Sequence, residues 1–186
     1  MSKKRLFSLT AVLIILIIVC VGAFLMLTAK EDREMIEDKV MSLQHGDTRI
    51  IHIDILEDDY ALAFYESDYI PHMGVMELKK GLFDWEFQQS ISERIRDNPQ
   101  FTQLTNYSAI YGRAEHDTKD IEVELQSGET FPLEIIEGEV TRGYWIFYTN
   151  DKDLSGAKVT RVNRDGEIED IQVPDEPNEG LNRTIE

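Results

Sequence analysis

Cysteine is almost absent from this chain of 186 residues: the single one, Cys20, sits inside an apolar segment. An intrachain disulfide is therefore excluded, and beyond that segment so are a cysteine zinc site and a thiol nucleophile. Histidine is scarce as well. His45, His52, His72 and His116 are scattered, with no H-x-x-x-H or H-E-x-x-H spacing. No G-x-S-x-G occurs, and Ser127-Gly128 and Ser155-Gly156 stand in turn contexts, so no serine hydrolase is expected. Basic residues are few, 19 Lys+Arg against 36 Asp+Glu, and they are unevenly placed. Residues 1–30 hold Lys3, Lys4, Arg5 and Lys30 and no acid, leaving 15 basic against 36 acidic residues in the remainder, a formal charge of −21. Such a surface repels phosphate backbones, which excludes nucleic acid as a partner. Carboxylate pairs for glycoside hydrolysis could be chosen almost anywhere among so many acids, so the charge singles out no pair. It reads as a solvated acidic surface with no catalytic residue and no cofactor.

One feature is present in full. From Leu6 to Leu27 the chain reads LFSLTAVLIILIIVCVGAFLML without a charge. As a helix rising 1.5 Å per residue, this run would be about 33 Å long, enough for a hydrocarbon core of about 30 Å. Lys3-Lys4-Arg5 precede it and Glu31-Asp32 follow it. The positive-inside rule then puts the N-terminus in the cytoplasm and residues 31–186 outside. A cleaved signal peptide would have a shorter apolar run and small residues before the cut, yet Leu27-Thr28-Ala29 places Leu at −3. Val19 before Cys20 does not suit a lipoprotein, and no pilin-type Glu opens the run. The expectation is a basic cytoplasmic tip (1–5) and an uncleaved anchor (6–27), with the lipid bilayer as its partner.

Residues 28–46 read as a juxtamembrane stalk helix, in which Met35, Ile36, Lys39, Val40 and Leu43 form a narrow stripe that either continues the membrane helix or packs on the domain. From 47 the period changes to two, and residues 47–173 are expected to form a β-rich extracytoplasmic domain. Ile51, Ile53 and Ile55 alternate with polar residues, Tyr60–Tyr65 returns, and Gly74–Leu78 and Leu82–Phe87 complete a four-stranded meander over 47–87. Residues 88–106 are polar, contain Pro99 and read as a connector. A second β stretch over 107–173 has candidate strands at 108–113, 121–125, 131–136, 144–149, 157–162 and 168–173. Short strands with turns about every ten residues suggest a small antiparallel sandwich or partly open barrel. The acidic tail, 174–186, reads as disordered.

Two lines of residues carry a resemblance. Ala61-Leu62-Ala63-Phe64-Tyr65-Glu66-Ser67, then Gly74, then Lys79-Lys80-Gly81-Leu82-Phe83-Asp84-Trp85 form the first. Tyr111-Gly112, Ile121-Glu122-Val123-Glu124, Trp145-Ile146-Phe147 and Gly156 form the second. Together they resemble a class of small, uncharacterised, membrane-anchored extracytoplasmic proteins of Bacillus-type Gram-positive bacteria. The likeness spans much of residues 50–170 and departs at Asp84, where a Gly would suit the tight turn better. It implies architecture and location, and no activity.

Asp151-Lys152-Asp153-Leu154-Ser155-Gly156 fits the first half of a calcium loop, with oxygen ligands at 151, 153 and 155, but Val162 stands where the bidentate acid belongs. The alternative reading is a polar hairpin turn. His52 and Asp54 share one face of a strand and would need a third ligand, such as His72 or Glu66, to hold a metal. Tyr144, Trp145, Tyr148 and Trp85 are candidates for an exposed aromatic contact face, against the alternative that they build the core. Lys79-Lys80 before Gly81-Leu82-Phe83 form a basic-apolar point suited to anionic lipid or teichoic acid. The expected function is a non-enzymatic, single-pass membrane protein whose β domain contacts an envelope protein or wall polymer. The alternative is an extracytoplasmic ligand or calcium-type metal sensor.

Overall fold

The computed structural model describes residues 31–186 except 45–47, 68–70, 97, 138–142, 151–152, 179 and 185–186. The basic tip and the expected anchor lie outside the described residues. Among the described residues, no helix is long and apolar enough to cross a membrane. The chain divides into two compact units, Met1–Met35 and Ile36–Glu186, and the second contains the β structure.

That structure is mainly β, with antiparallel pairing throughout the described ladders. Helix α1 (Asp32–Leu43) precedes strands β1 (Thr48–Ile55), β2 (Tyr60–Ser67), β3 (His72–Lys80) and β4 (Trp85–Arg94). Strands β5 (Gln100–Gln103), β6 (Ser108–Ala114), β7 (Thr118–Glu124) and β8 (Thr130–Leu133) follow. The last are β9 (Gly143–Thr149), β10 (Lys158–Asn163), β11 (Ile168–Gln172) and β12 (Leu181–Thr184). They form three sheets: sheet A in the order β1-β2-β3-β4-β12, sheet B as β5-β6-β9 and sheet C as β11-β10-β7-β8.

The meander of sheet A follows from period-two patterning with both phases apolar. Leu62 and Phe64 face one way, Ala61, Ala63 and Tyr65 the other, and all five are buried. Close approach on the second face requires small neighbours. A Cβ at Gly74 would lie 2.7 Å from the Tyr65 ring, whose hydroxyl meets Ser90 Oγ at 2.7 Å.

Sheet B contributes to two cores, one on each face, because its strands alternate between them. Ala109, Tyr111 and Tyr144 join Leu62, Phe64, Met73, Val75 and Ile91 of sheet A. Ile110, Ala114, Trp145 and Phe147 join Ile121, Val123 and Val159 of sheet C, with Leu154, Ala157 and Val173 closing the cluster. Gly112 makes room for Trp145, since a Cβ there would lie 2.7 Å from Cζ2 of the indole. The ring cannot easily yield, being buried with its Nε1 donating to the Arg113 carbonyl at 3.2 Å. Gly112→Ala is expected to lower the unfolding free energy by about 1–3 kcal/mol through overpacking, read from the urea midpoint.

Two expectations are corrected, and one open choice is decided. The connector foreseen at 88–106 is largely strand: β4 continues to Arg94, burying Gln89, Ser90 and Ile91, and β5 starts at Gln100. The tail is not disordered over its whole length. β12 pairs with β4, Leu181 opposite Ser92 and Thr184 opposite Gln89, and Asn178 N–H donates to the Phe101 carbonyl at 2.8 Å. Backbone ladder bonds, which are indifferent to side-chain polarity, account for both. The stalk helix does not stand free either. Ile36 and Val40 are fully buried, and Lys39 Nζ pairs with Asp84 Oδ2 at 3.3 Å beside the β3–β4 turn.

Candidate functional site

Two carboxylates are buried at the interface of sheets A and B, and neither is open to a substrate. Glu66 ends β2 in phase with Leu62 and Phe64, so its side chain enters the space between the sheets. There it accepts from Arg49 of β1, from Arg113 of β6 at 3.3 Å and from the Tyr144 hydroxyl of β9. Arg49 Nη2 also donates to the Tyr144 hydroxyl at 3.1 Å. Burial alone would raise the Glu66 pKa, but hydrogen bonds from Tyr144 and Arg49, the Arg49 charge and the Arg113 hydrogen bond together hold it below the ordinary carboxylate value. Tyr144 moves the opposite way, its phenol pushed up by burial and then by the Glu66 carboxylate. The cluster is an ionised carboxylate locked between two guanidinium groups.

The second carboxylate, Glu77, is fully buried on β3 in phase with Met73 and Val75. Its oxygens accept from the Asn106 backbone N–H at 3.0 Å and from Asn106 Nδ2 at 2.5 Å. The neighbouring Gln89 accepts from Thr105 Oγ1 at 3.1 Å. These contacts pin the β5–β6 turn onto sheet A. Sequence reasoning met Glu66 only as a possible third metal ligand and passed over Glu77, although a Glu on the core phase of an apolar strand was the available signal.

The other anticipated residues fall in separate places. Asp153 accepts from Ser155 N–H at 3.0 Å and from its hydroxyl at 2.5 Å, which is local turn chemistry, while Asp151 lies outside the described residues. His52 Nε2 and Asp54 Oδ1 are 2.9 Å apart on β1, and Asp54 also accepts from Tyr148. The Tyr148 hydroxyl is pushed up by burial first and by Asp54 next. Glu66, considered as a third ligand, is committed to Arg49, Arg113 and Tyr144. Among the described residues, no group of three His, Cys, Asp or Glu is placed to hold a metal ion.

The aromatic contact face is corrected. Tyr144 and Trp145 are 4% and 3% exposed because both faces of β9 are covered, Trp85 at the start of β4 is 1% exposed, and Tyr148 is half-buried. Lys79 and Lys80 are exposed, their ammonium groups 5.5 Å from the Tyr60 ring and 5.8 Å from the Trp85 ring. Beside them Leu82 and Phe83 are the most exposed large apolar residues described, at 86% and 88%. Neither touches the core, so Leu82→Ser with Phe83→Ser is expected to leave the unfolding free energy within about 0.5 kcal/mol of the parent by calorimetry.

At the end of sheet C, a cleft of about 350 Å³ is lined by Glu115, Asp117, Thr118, Arg161, Asn163 and Glu169, among others. Arg161 fills much of its charge demand, pairing with Glu115 at 3.1 Å and with Glu169. No protein-family model, curated protein or solved structure matches the chain.

Proposed function

We propose that this chain is a single-pass membrane protein, anchored through residues 6–27 with its N-terminus cytoplasmic, whose extracytoplasmic β domain binds rather than catalyses. On this reading the domain is a layered sandwich in which sheet B is the middle layer. The observation that carries the binding role is how the buried ionisable groups are used. Glu66 and Glu77 are spent on joining sheets A and B, whereas the two most exposed large apolar side chains described, Leu82 and Phe83, stand side by side in the β3–β4 turn. The uncharged 22-residue run, with basic residues before it and acidic residues after it, supports the location. The partner expected from the sequence is an envelope protein, a wall polymer or the bilayer surface.

The test is topological and chemical. In a Gram-positive host, the chain is expected to stay with alkali-washed membranes, and protease added to protoplasts is expected to digest the region after residue 31. Recovery from the cytosol, or full protection from protease, would overturn the location. Turnover of a wall substrate by the purified chain would overturn the binding role. Calorimetric titration with Ca²⁺, Mn²⁺ and Zn²⁺ is expected to give no heat. Heat accompanied by a higher melting temperature would favour the metal-sensor reading instead.

A further inference from the structure

The β3–β4 hairpin closes on two residues that do not suit a turn. Gly81 N–H donates to the Asp84 carbonyl at 2.8 Å, so Leu82 and Phe83 occupy the central positions. Such positions draw Gly, Asn, Asp, Ser and Pro, whose backbones fit and whose side chains suit water. Here an aliphatic and an aromatic side chain stand 86% and 88% exposed. The turn is held firmly, since β3 and β4 pair from His72 opposite Arg94 to Lys80 opposite Trp85, and Asp84 Oδ1 accepts from Trp85 N–H at 2.8 Å. The two apolar side chains therefore project from a braced point.

The charge around that point is mixed, with basic residues among the acids. Lys39, Lys79 and Lys80 stand with Asp84 and Glu86, and the register of β2 against β3, Tyr60 opposite Lys79, sets the Glu57–Asp59 turn beside the two lysines. Lys39 neutralises Asp84 at 3.3 Å. Chain length adds a further constraint. Lys39 is only 12 residues beyond Leu27, so the chain keeps the turn within about 40 Å of the end of the apolar run.

We propose that Leu82 and Phe83 insert into the interfacial zone of an anionic phospholipid bilayer, with Lys79 and Lys80 against its headgroups. This rests on the anchored reading above. An apolar pair with a basic collar matches the composition of interfacial membrane contacts. A phosphate-rich wall polymer would engage the lysines but give Leu82 and Phe83 no apolar medium. A tip of two residues is also far smaller than the 20–30 residues that a partner usually contributes to a stable protein interface. The anchor supplies the second attachment, so a contact too weak to hold alone becomes effective at the high local concentration of the tethered lipid surface.

The test uses the full chain reconstituted in vesicles containing phosphatidylglycerol. One sample carries an environment-sensitive fluorophore on Cys20; another carries it on Phe83→Cys in a Cys20→Ser background. Lipids brominated near the headgroup and along the acyl chain serve as quenchers. Deep quenching at Cys20 reports the anchor independently of the tip. Shallow quenching and a blue shift at position 83, reduced about tenfold by Lys79→Glu with Lys80→Glu, are expected. The same label on Asp165→Cys, in the turn after β10, should stay unquenched. Quenching at Cys20 without quenching at 83 would overturn the proposal and leave the anchor standing. Quenching at 83 without quenching at Cys20 would uphold the tip contact and remove the anchor. A spectral shift at 83 that appears only when lipoteichoic acid is added would also overturn it.

Discussion

Glu66→Ala is expected to lower the unfolding free energy by about 3 kcal/mol, measured from urea midpoints by the emission of the buried Trp85 and Trp145. The substitution leaves two guanidinium groups and a phenol facing one another without the carboxylate that reconciles them. Breaking a buried ion pair by removing one partner typically costs about 3–5 kcal/mol. The lower end applies because Arg49 and Arg113 keep side-chain exposures of 30% and 27%, so water relieves part of the repulsion. Glu66→Gln retains volume and acceptor capacity and should lose less. It should also change how stability depends on pH. The folded pKa of Glu66 is depressed, so its contribution is present above the ordinary carboxylate value and is lost as pH falls through the folded value. The gap between the parent and Glu66→Gln should therefore narrow in acid. Glu93, raised first by burial, works in the opposite sense: its contribution is present below its ordinary value and fades as pH rises. Glu93→Gln should accordingly make the parent slope in acid steeper. A Glu66→Gln gap that stays constant from neutral to strongly acid pH would sink this account of the cluster.

Trp145→Ala is expected to be as damaging, at about 4 kcal/mol. The indole is 3% exposed and fills the space between sheets B and C with Ile110, Phe147, Val123 and Val159 around it. Truncation leaves a cavity and also removes the donor to the Arg113 carbonyl. Because Gly112 lies directly against the ring, the two positions should couple. In the Trp145→Ala background, Gly112→Ala no longer clashes and fills part of the void. The double variant should thus be at least about 1 kcal/mol more stable than the two single losses predict. Simple additivity in denaturant titrations would show that the ring is not seated on Gly112.

The sequence showed the β architecture wherever side chains carry the pairing signal. Strand β1 alternates, β2 and β3 are apolar runs bounded by turn residues, and the second stretch has apolar strands separated by Gly-containing turns. It hid the continuation of β4 past Phe87 because Gln89 and Ser90 are polar yet buried. Gln89 meets Thr105, while Ser90 meets the Tyr65 hydroxyl on a face where only a small residue fits. It hid β12 because Leu181–Thr184 is a short, mixed segment with no alternation, added to an edge through ladder pairing with β4. The aromatic residues of β9 were legible as apolar on both sides, but a third sheet to cover the second side was not. Glu66 and Glu77 were visible only as interruptions of an apolar phase, and nothing local names partners as distant as Arg113 or Asn106.

The position of β9 between two cores has a consequence for the newly made chain. Gly143–Thr149, reading GYWIFYT, contains no charge and no proline. Neither of its faces is designed for water, so it is sheltered only after sheets A and C have both closed over it. Until then it is the kind of uncharged, aromatic, extended segment that stacks with copies of itself. The step most exposed to self-association during biogenesis is the interval between the closing of the first outer sheet and the second. A holding chaperone would find its natural grip on those seven residues.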